Sequence, residues 1–297
     1  MRLTRRQFAL SLAAPAAAQV SAPLLIIDPH VHVWKRDPRY PWAKETTNPP
    51  VEEALPETLL GLMQANGVAH TVIIQVIHYR WDNTYARDVI RQHPGKFLGV
   101  CRVNPESPAA PDDLSRLVEQ DRFRGVRISP AANSSGDWIA GPLMAPLWQR
   151  AAQLQVPMTV LTSTMRLPQV SRLIERFPDL DVVIDHMADC PPDRPEELGK
   201  LLDLARYPRV FVKISHTWSI SKQPYPYVDT HDQLKKLYDA FGPRRLMWGT
   251  DWPLVERHCG YAKALAMVRE ELKFLNDEDK RWMLGRTIER VWPFAAQ

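Results

Sequence analysis

A chain of 297 residues, 45% hydrophobic and 24% charged, is long enough for one large domain or two small ones, and too apolar to stay disordered. The formal charge of +4 falls to +1 once residues 1–22, which carry Arg2, Arg5 and Arg6 and no acid, are set aside. A nearly neutral body with scattered cations gives no electrostatic case for nucleic acid or a membrane surface as partner, which leaves a small-molecule substrate.

The chain opens on Thr4-Arg5-Arg6-Gln7-Phe8-Ala9-Leu10, paired arginines followed by a short apolar run, and then a stretch of small residues from Ser11 to Ala18. Ala16-Ala17-Ala18 and Val20-Ser21-Ala22 offer cleavage sites. The pattern predicts a twin-arginine signal peptide over residues 1–22 and a periplasmic protein, with a single domain over 23–297. The segment is too short and too rich in alanine to span a bilayer.

From Leu24 onward, short apolar runs alternate with helical spacing. The predicted strands are Leu24–Asp28, His70–Ile77, Phe97–Asn104, Gly125–Ser129, Val156–Thr162, Asp181–Asp185, Val210–Ser215 and Arg245–Gly249. Between them, Leu143, Leu147, Ala151 and Leu154 share a helical face, as do Val170, Leu173, Ile174 and Phe177. Leu198, Leu201, Leu202 and Ala205 repeat the spacing, and so do Leu234, Leu237, Tyr238 and Phe241. Eight strands alternating with helices predict an α/β fold, a single distorted (β/α)8 TIM barrel. An open doubly wound sheet would need a glycine-rich phosphate turn after an early strand, and the chain has none. The polar segment Trp34–Pro56 after the first strand is the candidate lid. Cys101, Cys190 and Cys259 form no CxxC pair, so neither a zinc-thiolate site nor a disulfide framework is expected.

Three clusters carry candidate chemistry. In Asp28-Pro29-His30-Val31-His32 the two histidines alternate along a strand end and face one way, able to hold a divalent metal or bracket a carbonyl. Ile184-Asp185-His186 and Trp248-Gly249-Thr250-Asp251-Trp252-Pro253 each end an apolar strand in a charged residue, and Gly249 leaves room for a ligand or a neighbouring backbone. Taken singly, the clusters also read as surface histidines, a strand-ending cap and a turn. Together they put His30, His32, His186 and Asp251 at the ends of strands one, six and eight, and strands one and eight are neighbours in a closed barrel.

Other residues point toward a substrate. Arg127 alternates with Val126 and Ile128, Arg102 with Cys101 and Val103, and Lys213 with Val212 and Ile214, which turns these cations inward. An inward cation needs an anionic partner: a substrate carboxylate, or an internal carboxylate such as Asp28, Asp185 or Glu106. Trp34 belongs to a set of aromatics that follow strand ends, suited to a sugar or a flat ring, or to helix packing. His78 and His216 follow strands two and seven as further candidates for substrate contact and proton transfer.

Ile27-Asp28-Pro29-His30-Val31-His32-Val33-Trp34, Tyr40-Pro41-Trp42, Gly125-Val126-Arg127, Ile184-Asp185-His186 and Trp248-Gly249-Thr250-Asp251-Trp252-Pro253, in this order, resemble the amidohydrolase superfamily. The branch is that of amidohydrolase-related proteins containing sugar-acid lactonases and 2-pyrone-4,6-dicarboxylate lactonase. The resemblance implies a hydrolase that opens a lactone of a small carboxylate or sugar-derived compound. Asp251 would take the proton from the attacking water, and the histidines would bind metal or polarise the carbonyl. The family's strand-five histidine is missing from Pro157–Ser163, and its strand-four lysine is not evident. One ion at most is therefore expected, a zinc on His30, His32 and Asp251, and a metal-free site stays open. The alternatives are a metal-dependent decarboxylase of an aromatic or unsaturated acid, which typically has a strand-five histidine, and a non-catalytic sugar-acid binding protein.

Overall fold

Eight parallel strands pair in sequence order and curl into a nearly closed barrel in a computed structural model that describes residues 24–129 and 137–294. The expected signal peptide lies outside these residues. The strands are β1 (Ile27–Val31), β2 (His70–Ile74), β3 (Phe97–Arg102), β4 (Val126–Ile128), β5 (Met158–Val160), β6 (Val182–Ile184), β7 (Val210–Lys213) and β8 (Leu246–Met247). Every predicted strand is present, most of them shorter than the apolar run that announced them. The difference is physical: an apolar run continues into the loops that pack over a barrel, while ladder pairing stops where the chain turns outward.

The main helices are α1 (Pro56–Asn66), α2 (Thr84–Gln92), α3 (Ala110–Glu119), α4 (Met144–Gln153), α5 (Leu167–Arg176), α6 (Pro195–Leu202), a short α7 (Thr217–Ile220) and α8 (His231–Phe241). The apolar stripes read in the sequence are their buried faces: Leu147 and Ala151 of α4, Val170 and Ile174 of α5, Leu198 and Leu201 of α6, and Leu234 and Leu237 of α8 are all buried. Strands between a helical shell and a filled interior bury both faces, so β2, β6 and β7 run as Val/Ile/Phe-rich stretches. No helix among the described residues is long and apolar enough to cross a membrane.

Closure between the first and last strands positions the site. β1 begins three residues later than expected and takes His30 into the strand, with a register irregularity between Asp28 and Val31. Beyond it, His32 N donates to the Trp252 carbonyl at 2.7 Å, and Asp251 N donates to the His30 carbonyl at 2.9 Å. Asp28 clamps the same seam: its carboxylate accepts from the backbone N–H of His30 and Thr250 at 3.1 and 3.2 Å and from the Thr250 hydroxyl at 2.6 Å. Burial drives the Asp28 carboxyl up to about 6 against those hydrogen bonds. A buried carboxylate that accepts from both strands fixes how the histidine motif faces the aspartate motif.

The segment after β1 is a fixed wall rather than a free flap. Trp34 pairs with Ala54 through two backbone hydrogen bonds of 3.0 Å, and its indole donates to the Glu52 carbonyl at 2.7 Å. Ala43 N and the Thr46 hydroxyl donate to the His78 carbonyl, and Trp42 stacks on Tyr79. The three cysteines are free thiols.

Candidate active site

Asp251 stands at the centre, 3% exposed, with a histidine on each side. Its Oδ1 is 3.2 Å from His32 Nε2 and 3.5 Å from His30 Nε2; its Oδ2 is 3.5 Å from His216 Nε2. The His186 ring lies between the others, 4.4 Å from the His30 ring and 4.5 Å from the His216 ring. The structure thus brings together the four residues read from strands one, six and eight, and adds His216 from the end of β7.

The chain reaches this arrangement through unusual backbone. His186, His216 and Asp251 end or follow β6, β7 and β8 and all have positive φ, at 51°, 67° and 59°. Such φ values in residues other than glycine cost on the order of 1–3 kcal/mol each and persist where the surroundings over-determine them. Here they turn three consecutive strand ends sharply enough to point the side chains across the barrel mouth. Gly249 has the role of a spacer: a Cβ there would lie 3.3 Å from His30 Cβ and 3.5 Å from Ser215 Cβ.

Hydrogen bonds fix what each histidine offers. His32 Nδ1 lies 2.7 Å from the Ile74 carbonyl, which only accepts, so Nδ1 carries a proton. A neutral His32 then presents a bare Nε2 to Asp251 Oδ1, and two lone pairs at 3.2 Å require a cation between them, a proton or a metal ion. His30 Nε2 is buried and has no hydrogen-bond partner. His30, His32 and Asp251 can place one ligand atom each within 4.8 Å of one another, so this donor set fits a divalent ion. His186 Nδ1 is held by the Ser215 hydroxyl at 2.9 Å, which leaves its Nε2 for the mouth.

Beneath the histidines lies a second charge centre. Asp185 is fully buried, with Arg127 Nε 2.9 Å from one oxygen and Lys213 Nζ 3.1 Å from the other. His30 Nδ1 is 3.4 Å from Asp185 and 3.2 Å from Lys213 Nζ. Burial alone would raise Asp185, but Lys213, His30 and Arg127 hold it well below the usual carboxylate range. Burial, with Lys213 next, pushes His30 down to about 3, and burial likewise pushes His186 well down, so both are neutral. Asp251 is held below the ordinary carboxylate range despite its burial, first by its contact with His32, across which the cation required between the two groups acts.

Two residues read as substrate contacts therefore meet an internal carboxylate: Arg127 and Lys213 spend charge on Asp185. Trp34 is buried in the wall, and His78 sits half-buried between the Trp34 and Trp42 rings, at 6.0 and 6.1 Å. Burial, and then the nearby His32, lowers the His78 pKa. The Trp218 ring stands edge-on to His216 at 3.9 Å and stacks on His258 at 3.8 Å, forming the rim over β7 and β8. Of the internal carboxylates named as partners for the inward cations, Asp185 takes Arg127 and Lys213 while Asp28 serves the β1–β8 seam; Ser215 and the Ile74 carbonyl are the parts that sequence reasoning missed as contributors to the site.

A family model described as amidohydrolase matches residues 27–294. An L-fucono-1,5-lactonase of Burkholderia ambifaria is 30% identical over 79% of this chain and 82% of its own length. A 4-sulfomuconolactone hydrolase of Hydrogenophaga intermedia is 27% identical over 79% and 75%. Among solved structures, an amidohydrolase of Burkholderia multivorans with bound zinc superposes with a TM-score of 0.73 at 21% identity, over 90% of this chain and 98% of that one. A 2,6-dihydroxybenzoate decarboxylase shares the fold at a TM-score of 0.66 and 14% identity.

Proposed function

The chain belongs to the amidohydrolase family, a hydrolase by that membership, and on this basis we propose that it opens a lactone of a small carboxylate or sugar-derived compound, with Asp251 as general base. The observation that carries the reading is the Asp251 carboxylate, buried at the barrel mouth with His30 and His32 at one oxygen and His216 at the other. The lactone hydrolases among its relatives support the reaction class.

Ring opening adds water across the acyl C–O bond. Asp251, kept ionised by the cation that its contact with His32 requires, accepts a proton from water as the oxygen attacks the ring carbonyl carbon. The 2.9 Å contact of His186 Nδ1 with the Ser215 hydroxyl lets the hydroxyl donate, and in that tautomer His186 carries its proton on Nε2 and presents a donor to the developing oxyanion. Asp251 then returns the proton to the departing ring oxygen, and the product is a hydroxy acid that releases one proton to solution. His30, His32 and Asp251 would hold one divalent ion, which when bound polarises a carbonyl and acidifies water. Zinc is the ion proposed, by analogy with the Burkholderia multivorans structure. The Lys213–Asp185 pair fixes the face that His30 turns to Asp251.

The test is a panel of γ- and δ-lactones followed by proton release, with wild type and Asp251→Asn, with and without chelator. The expected result is turnover lost by on the order of 100-fold or more in Asp251→Asn while product binding persists. A wild-type protein that binds sugar acids and opens no lactone is a binding protein, and carbon dioxide released from an aromatic acid would replace hydrolysis by decarboxylation.

For residues 1–22 we propose export to the periplasm by the twin-arginine route, supported by Arg5-Arg6 ahead of a short apolar run. Substituting both arginines by lysine should leave the protein in the cytoplasmic fraction.

A further inference from the structure

Arg102 closes β3, and its side chain reaches residues that follow β2 and β4, yet it is only 4% exposed. One of its nitrogens, Nη1, donates to the Ser129 hydroxyl at 2.9 Å, while Nε is buried with no hydrogen-bond partner. The guanidinium lies over the Trp81 ring, 5.5 Å from its centre. Among the side chains described, which leave out Asp137, no carboxylate comes within ion-pair distance of it. The segment that follows Ser129, residues 130–136, has no acidic side chain in its sequence.

The surrounding charge makes this position costly. The charges that Arg102 senses most are Arg127 and Arg80, both positive, followed by Asp185. Asp185 is already committed to Arg127 and Lys213. Arg80 reaches Glu45 at 3.7 Å, near the surface. Burial, then Arg127 and Arg80, pulls the Arg102 guanidinium down to about 9, so it keeps its charge at neutral pH. A buried charge without a counter-ion destabilises a fold unless a partner arrives from outside.

Nor is Arg102 loosely held. Asn83 grips its backbone on both sides, accepting from Arg102 N and donating to Arg102 O, each at 2.9 Å. The same Asn83 amide donates to the Trp81 carbonyl at 2.9 Å. One side chain thus sets the arginine and the ring beneath it, and the guanidinium is pre-organised with donors unused.

We propose that Arg102, backed by Trp81 and Ser129, anchors a carboxylate of the substrate on the β3–β4 side of the mouth, so that the preferred lactones are acidic ones. This rests on the lactonase reading and narrows it: the hydrolytic group lies at β1 and β8, and the acid group of the substrate points away from it. Arg127, spent on Asp185, leaves this task to Arg102.

The test separates binding from turnover. Glutarate, a dicarboxylate with no bond to hydrolyse, is titrated calorimetrically into the full-length wild type and Arg102→Met. The expected result is binding weakened on the order of 10- to 100-fold in Arg102→Met, with a melting temperature equal to or above wild type, because an unpaired buried charge has been removed. A merely structural arginine would give the opposite pattern, a lower melting temperature and unchanged glutarate binding, and that result overturns the proposal, as does a wild type that ignores glutarate. Should Arg102→Met fail to fold, Arg102→Lys, which keeps the charge and loses the planar fork, is expected to bind glutarate about tenfold more weakly, and equal binding overturns the proposal. In a second arm, the γ-lactone of 2-hydroxyglutarate is compared with uncharged γ-valerolactone. The ratio of their kcat/KM values should exceed unity in wild type and fall on the order of 10- to 100-fold in Arg102→Met. If wild type opens no lactone of the γ- and δ-lactone panel, the lactonase reading fails, and the glutarate titration still decides the role of Arg102.

Discussion

His32 and Asp251 face each other across 3.2 Å, Nε2 to Oδ1, while the other nitrogen of His32 is committed to the Ile74 carbonyl. That commitment forbids the histidine from shifting its proton to relieve the contact, so something positive belongs between the two groups. A divalent ion shared with His30 satisfies all three donors. Metal analysis of the purified protein should find about one ion per chain, retained in Arg127→Gln and lost in His32→Gln and in Asp251→Asn. Full activity after exhaustive chelation, with no metal left, would instead assign the cation to a proton on His32.

Asp185 is the hinge of a second prediction. It is the only carboxylate within ion-pair distance of both Lys213 and Arg127 among the described residues. Asp185→Asn leaves two buried cations facing each other, and breaking a buried pair from one side costs about 3–5 kcal/mol. Lys213→Met should cost less, because Asp185 keeps Arg127. Chemical denaturation of the two variants should rank them in that order. If Lys213→Met proves the more damaging, the lysine has a structural task beyond neutralising Asp185, and its placement 5.2 Å over the Trp292 ring is where to look.

The fold was legible because a parallel barrel writes itself into the sequence as apolar runs at regular intervals, and β-branched stretches such as Thr71–Ile74 leave little choice of element. The convergence of His30, His32, His186 and Asp251 was legible for a related reason: each sits where an apolar run stops, and strand ends are where barrel sites form. What the residues could not reveal was which inward cation meets which carboxylate. Arg127, Arg102 and Lys213 have the same alternating signature, and only the barrel's closure decides that Asp185 takes two of them and leaves Arg102 without a partner. Asp28 was hidden too, because its partner Thr250 is remote in sequence. The left-handed backbone at His186, His216 and Asp251 has no glycine to announce it, so the sharpness of those turns left no mark in the sequence.

Stability should rise with pH between about 4 and 6.5, and the sign follows from three groups. His30, lowered from 6.5 to about 3 by burial and then Lys213, binds fewer protons folded than unfolded across that interval, so its contribution is intact above 6.5 and lost as pH falls. His186 shifts in the same direction, from burial and then His30. Asp28, raised from 3.8 to about 6 by burial, acts oppositely: the folded chain holds the extra proton, and stability drops as pH rises through that range. Two histidines outweigh one carboxylate. Thermal melts across the range should therefore show a positive slope, shallower in His30→Gln and steeper in Asp28→Asn. A slope unchanged in both variants would remove these groups from the acid response.

Gly249 supplies a prediction that isolates geometry from chemistry, since it has no side chain to contribute. A methyl group added there comes within 3.3 Å of His30 Cβ, a contact that His30 relieves by moving a few tenths of an ångström, while Ser215 Cβ at 3.5 Å is in ordinary contact. Neither neighbour moves freely: His30 is held through Asp185 and Lys213, and Ser215 through His186 Nδ1. If His30 yields, a histidine that faces Asp251 shifts off its line. A small displacement of catalytic groups costs far more in rate than in stability, because an effective alignment tolerates little error. Gly249→Ala should therefore lower kcat by on the order of tenfold with KM little altered and the melting temperature close to wild type. A variant that loses stability while its surviving fraction turns over at the wild-type rate would show that the neighbours absorb the methyl group without disturbing the site, and that Gly249 serves packing alone.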